Sequence, residues 1–205
     1  MKLVLLAVIL FALCSCEAVY AATITDALKE TFGNEGGYTV DSGGPTNFGI
    51  SQKAYPHMST QEIKDLTIEK AAAIYERDYW NPLGLNKEPS QITANEIFDS
   101  AVNEGVGTAA RRIQKAINLA NYPQADIPID GVLGPATWAA KAKVNPVEFY
   151  VCWIGLRFGR YQLLVEKSPE KFDQYFKSWT FRIKNNVVRA VHELDSLKKV
   201  AGSSH

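Results

Sequence analysis

The chain is expected to be mainly α, a helical bundle with one small β-hairpin or loop, and three observations lead there. Helical periodicity, with apolar residues at i, i+3 and i+4, recurs through most of residues 24–197. Helix-start signals recur with it, at Ser59, Thr67, Ser90, Pro135, Asn145-Pro146 and Ser168-Pro169. Strand and turn signals, by contrast, are confined to residues 37–51. At 205 residues with 46% hydrophobic content, the chain can bury a core as one domain, or as one domain with a small subdomain.

Residues 1–22 stand apart. Met1-Lys2 is followed by an apolar run from Leu3 to Leu13. That run is short for an ordinary spanning helix and suits the apolar centre of an export signal. Three readings stay open. Val19-Tyr20-Ala21 offers a cleavage site, Leu13-Cys14-Ser15-Cys16 offers a weak lipidation site, and the whole segment to about Ile24 offers a releasable membrane anchor. Each carries the rest of the chain across an inner membrane, so residues 1–22 are left out of the expected fold.

The first folded element is a short helix around residues 25–33, where Ile24, Leu28 and Phe32 share a face. Glu35 follows at or just past its end, before the stop pair Gly36-Gly37. The negative end of a helix disfavours a carboxylate, and burial against Tyr38 would raise the pKa further. A carboxyl kept protonated near neutral pH suits a general acid in glycoside cleavage. Asp41 lies in a more polar, glycine-rich setting, where it would stay ionised and orient a water or stabilise a cationic centre. Thr46 could hold that water, and Tyr38 and Asn47 stand where substrate would be contacted. On spacing alone, a turn-capping Glu35 and an Asx-turn Asp41 explain the same residues.

Ser59-Thr-Gln-Glu62 is a capping-box pattern opening a short helix that ends near Leu66. Thr67 caps a helix from Ile68 to Trp80, stopped by Asn81-Pro-Leu-Gly. Tyr79 and Trp80 read either as core or as aromatic platforms for a sugar ring. Ser90 to Glu104 forms the next helix, with Ile97, Phe98, Ala101 and Val102 inward and Gly105 ending it. Asp99 and Asn103 lie one turn apart, as a surface pair or as a groove wall that binds sugar hydroxyls.

A helix from Thr108 to Leu119 comes next. Asp130-Gly131 makes a tight turn before Pro135, which suits a first helical turn. Asn145-Pro146 starts a long helix to about Lys167. Its apolar residues Phe149, Val151, Trp153, Ile154 and Phe158 spread around much of its circumference, which predicts a central helix. Ser168-Pro169 restarts a last helix to about Leu197, bent near Thr180, with residues 198–205 as a disordered tail.

Net charge is zero, yet residues 139–205 hold twelve Lys/Arg against six Asp/Glu. That excess reads either as a solvated helical surface or as attraction to an anionic cell envelope. Its basic residues are spread along helices and no nucleic-acid motif accompanies them, so nucleic acid is not an expected partner. The histidines His57, His192 and His205 show no ligand spacing, so no metal and no cofactor are expected. Of the three cysteines, Cys14 and Cys16 lie in the export segment, leaving Cys152 within an apolar run.

Glu35-Gly36-Gly37-Tyr38, Asp41 and Gly43-Gly44-Pro45-Thr46-Asn47-Phe48-Gly49-Ile50 together resemble the N-terminal signature of the glycoside hydrolase 108 family. These are N-acetylmuramidases of phages and bacteria, related to lysozyme-like endolysins. The likeness continues through residues 71–80, 97–103 and 130–137, and so covers roughly 24–195. It implies a lysozyme-like α+β fold with a cleft between the Glu35 lobe and the later helices. It also implies that Glu35 is the catalytic glutamate. The Glu–Asp–Thr triad of the wider group falls by order on Glu35, Asp41 and Thr46, with a shorter Glu–Asp gap than in several phage lysozymes. The implied organisation is an export segment 1–22, a catalytic lobe 23–105, a helical lobe 106–197 similar to peptidoglycan-binding modules, and the tail. The implied substrate is peptidoglycan, cleaved by a monomer in the host periplasm after an initial stay at the inner membrane. A lytic transglycosylase, or a non-catalytic exported wall-binding protein, are the competing expectations.

Overall fold

The computed structural model describes residues 21–32, 37–41, 44–124 and 126–202. Helix α1 (Ile24–Phe32) leads into a small antiparallel sheet of β1 (Thr39–Asp41), β2 (Gly44–Asn47) and β3 (Ile50–Ser51), in that spatial order. The register pairs Thr39 with Thr46, Asp41 with Gly44, and Asn47 with Ile50. The expected single hairpin is thus a three-stranded sheet, although every strand falls within the predicted stretch. Phe48 and Gly49 link β2 to β3 with φ of 49° and 75°. Both are left-handed, as a two-residue type I′ turn requires.

Helix α2 (Thr60–Lys64) starts with the expected capping box. Ser59 Oγ accepts from Glu62 N at 3.2 Å, and Ser59 N donates to Glu62 Oε2 at 2.7 Å. Helix α3 (Ile68–Tyr75) is capped by Thr67 as read. It does not run on unbroken to Trp80: residues Glu76–Trp80 form a π-turn, followed by α4 (Asn81–Leu83). The reason is Pro82, which has no N–H to give and whose ring crowds the carbonyl of Asp78 four residues back. The chain widens instead, and Asn81 N reaches back to Glu76 O. Gly84, at φ 62°, ends the run.

Ser90 caps α5 (Gln91–Glu104), and Gly105, at φ 89°, turns the chain directly into α6 (Val106–Asn121). Pro135 opens α7 (Pro135–Lys141). Asp130 Oδ1 accepts from Val132 N at 2.8 Å and from Gln114 Nε2 at 2.7 Å. The Asp130 turn is therefore riveted to α6, and these bonds hold its carboxyl below the usual range.

The long helices differ from expectation in two ways. Helix α8 (Pro146–Lys167) is capped by Asn145, but it is buried along one face and not all round. Phe149, Tyr150, Trp153, Arg157 and Tyr161 line that face, whereas Val151 is 63% exposed. The apolar spread in sequence hid an arginine in the core stripe. Helix α9 (Pro169–Gly202) runs past the expected end near Leu197 and includes residues 198–202 of the expected tail.

One apolar cluster joins Ala22, Leu28, Ile50, Trp80, Phe98, Ile113, Phe149 and Trp153, and so crosses from the first half of the chain to the second. Ala22 was expected to lie with the export segment. Here it is 5% exposed, and its N–H donates to Glu88 O at 3.0 Å. The Gln91 amide brackets the next residue, accepting from Thr23 N at 2.7 Å and donating to Thr23 O at 2.9 Å. Export-segment positions before Ala21, including Cys14 and Cys16, lie outside the described residues. Among the described residues, no helix is long and apolar enough to cross a membrane.

Candidate active site

The sheet carries the centre of the motif. Asp41 is the last residue of β1, with Gly44 as its partner, and Thr46 stands opposite Thr39. Positions 39, 41, 44 and 46 share one parity of the pleat, and 45 and 47 share the other. Pro45 and Asn47 are buried and Thr46 is half-buried. Tyr38, just before β1, is 37% exposed. Glu35 lies outside the described residues, three positions beyond the end of α1.

Two residues expected to touch substrate serve the fold instead. Asn47 is 5% exposed, and its Nδ2 donates to Ile63 O at 3.0 Å and Lys64 O at 3.1 Å. These are carbonyls at the C-terminal end of α2, which have no partner within the helix, so Asn47 completes that helix. Trp80 is 2% exposed and meets Phe98 edge-on, with ring centroids 5.9 Å apart. Its faces are spent inside the core, so it offers no platform to a sugar. Tyr79 is half-buried, tilted against Tyr75.

The π-turn brings up a group that sequence reading missed. Tyr55 Oη donates to Asp78 Oδ2 at 3.0 Å, and Arg77 grips both carboxylate oxygens, at 2.6 and 2.7 Å. The hydrogen bonds from Arg77 pull the Asp78 carboxyl below its ordinary range. Burial, with Tyr79 and Asp78 alongside, pushes the Tyr55 hydroxyl well above its own. The available signal was Pro82, which marks the preceding turn as disturbed.

Asp99 and Asn103 do pair on α5. Asn103 Nδ2 donates to Asp99 O at 2.7 Å and to Asp99 Oδ1 at 3.0 Å. Asp99 also accepts from Arg157 Nη2, and its side chain remains 32% exposed. Arg157 itself is fully buried and meets Glu96 Oε2 at 2.5 Å, while its Nε donates to Tyr161 Oη at 3.0 Å. Asn186 of α9 donates to the other oxygen of Glu96. Burial works against the charge on Arg157, but Glu96 and Asp99 outweigh it and raise its pKa. One turn further along α5, Glu104 accepts from Arg112 at 2.7 Å and Arg160 at 2.6 Å. Asp99 is thus held by Arg157 of α8, which Glu96 of α5 holds in turn, with Asn186 of α9 bonded to Glu96.

Among the described residues, no group of three or more His, Cys, Asp or Glu is set to hold a metal ion. Cys152 is free and half-buried. Burial, helped by Glu148, pushes its thiol pKa up, which leaves it poorly nucleophilic.

Comparison with known proteins bears on this arrangement. Among solved structures, that of Brucella abortus SagA is similar, with 28% identity, a TM-score of 0.65, and coverage of 83% of this chain and 95% of that one. No curated protein matches the chain. A family model described as Glycosyl hydrolase 108 matches residues 28–105, a span that runs from α1 through the sheet and the π-turn to the end of α5.

Proposed function

We propose that this protein is an N-acetylmuramidase that hydrolyses the β-1,4 bond between N-acetylmuramic acid and N-acetylglucosamine in peptidoglycan. The observation that carries the reading is the family match over residues 28–105, which encloses both carboxylates of the motif and the sheet bearing Asp41 and Thr46. Glu35 donates a proton to the glycosidic oxygen. Asp41, with Thr46, positions the attacking water or shields the cationic sugar. Tyr38, Tyr79 and the Asp99–Asn103 pair supply contacts to neighbouring sugars. The segment ahead of Ala22 exports the enzyme to the periplasm, by way of the inner membrane, where it acts as an endolysin.

Mass spectrometry of muropeptides after digestion of purified peptidoglycan by the full chain tests this. Reducing N-acetylmuramic acid ends are the expected product. Products ending in 1,6-anhydro sugars would make it a transglycosylase. Binding to the wall without release of ends would remove the enzymatic reading.

A further inference from the structure

Phe48 is the one non-glycine residue among those described whose backbone is left-handed, at φ 49°. A bulky side chain is disfavoured there, and such geometry persists only where the surroundings over-determine it. Asn-Gly would form the same two-residue turn without strain. Phe48 instead sends a half-buried ring into the core cluster.

The surroundings that hold it are specific. Tyr75 Oη donates to Phe48 O at 3.1 Å. Tyr75 is 2% exposed and fixed by ring contacts with Phe98 at 5.8 Å and Tyr79 at 5.6 Å. On one side of the turn, Asn47 is bonded to the end of α2; on the other, Ile50 is 1% exposed. Gln52 N donates to Pro45 O at 3.0 Å and closes the hairpin beyond β3. The tip is therefore clamped to α2 and α3, and Thr46 lies two residues from it.

We propose that Tyr75 and Phe48 are positioning residues: the strained turn, held by the Tyr75 hydroxyl, fixes Thr46 and the strand beside it in the geometry that hydrolysis needs. This rests on the muramidase reading above. The bond spans from the end of α3 to the β2–β3 turn, so it ties the helical frame to the hairpin. A merely stabilising contact would be made as well by a turn without strain.

The test is Tyr75→Phe in the full chain, which deletes one hydroxyl and leaves the ring packing. Its kcat on soluble peptidoglycan fragments should fall about tenfold, since small misplacements of positioned groups are costly in rate. KM should stay within about twofold, because uniform binding is untouched. The melting temperature should shift by no more than about 4 °C. Amide exchange should quicken across residues 44–52 and not in α5 or α6. An unchanged kcat, or a kcat loss that disappears on cooling, overturns the proposal. If Tyr75→Phe does not fold, Phe48→Asn carries the same test. It accepts the left-handed turn and removes the ring anchor, and a wild-type kcat in that variant also overturns the proposal. Wild-type protein that releases no reducing ends refutes the muramidase reading itself, and this inference with it. A loss on Tyr75→Phe alone cannot be mistaken for that.

Discussion

The hairpin and the helical body use polar groups in opposite ways. In the hairpin they are neutral and bond to backbone: Asn47 to the end of α2, and Tyr75 to the turn carbonyl. In the body, beside neutral amides such as Gln91, charged side chains bond to one another: Arg157 with Glu96 and Asp99, Arg112 and Arg160 with Glu104, Lys141 with Glu88. Neutral bonds to backbone fix where a loop lies at small desolvation cost. Buried ion pairs are expensive to desolvate and more expensive to break, so they fix which helices meet. The contrast also corrects the charge map. Lys141, Arg157 and Arg160 belong to the basic final third, yet each is matched to an acid from residues 88–104. Part of the sequence-level excess is therefore internal pairing and not a field presented to the cell wall.

Breaking the body should cost stability, and breaking the loop should cost rate. The largest effect is expected for Arg157→Leu. It leaves Glu96 buried beside an apolar side chain, and should destabilise by about 3–5 kcal/mol in urea unfolding. At low temperature kcat should be nearly normal, with KM raised where Asp99 loses its anchor, and a selective loss of kcat in a stable variant would merge the two regions. Glu35→Gln is the mirror case. Activity should drop on the order of 10²-fold with an unchanged unfolding midpoint. A folded variant retaining more than about a tenth of wild-type turnover would remove Glu35 as the general acid.

These two variants also mark how legible the molecule was. Glu35 is singled out by the Glu-Gly-Gly-Tyr motif and the resemblance it carries, and it lies outside the described residues. Arg157 could not be singled out, since an arginine amid Trp153, Ile154 and Phe158 reads as the polar side of a helix, and only the partners 61 and 58 positions away turn it inward. Caps were legible for the opposite reason: Ser59, Ser90 and Asn145 bond within three residues of themselves. The partners of Asn47 and the choice of core for Trp80 were not legible, because Ile63, Lys64 and Phe98 become their neighbours only through the tertiary fold.

The comparison sharpens with pH. Burial would raise the Glu104 carboxyl pKa, but the bonds and charges of Arg112, with Arg157 and Arg160, lower it overall. A depressed folded value means the stabilisation is complete above the ordinary value of 4.5 and is lost as pH falls through the depressed one. The wild-type melting temperature should therefore drop below about pH 4.5, and Glu104→Gln should flatten that drop while melting lower at neutral pH. An identical acid slope in both proteins would place the sensitive carboxylate elsewhere. The smallest effect is expected in α2, which supports the hairpin from below. Ser59→Ala removes one cap and should cost about 1 kcal/mol by thermal melt. A fall in kcat beyond that stability loss would show that α2 transmits its position to the hairpin through Asn47.

The π-turn at Glu76–Trp80 has a consequence for counting. It holds one residue more than a plain α-helix would need for the same advance. Each residue turns an α-helix by about 100°. Deleting one residue from this turn would leave the axis in place but swing α3 about that axis relative to α4. Tyr75, which reaches the strained turn, and Trp80, which keys into Phe98, could then no longer both face their partners. The extra residue works as a phase-shifter, letting one rod of helix address the sheet with its first half and the core with its second.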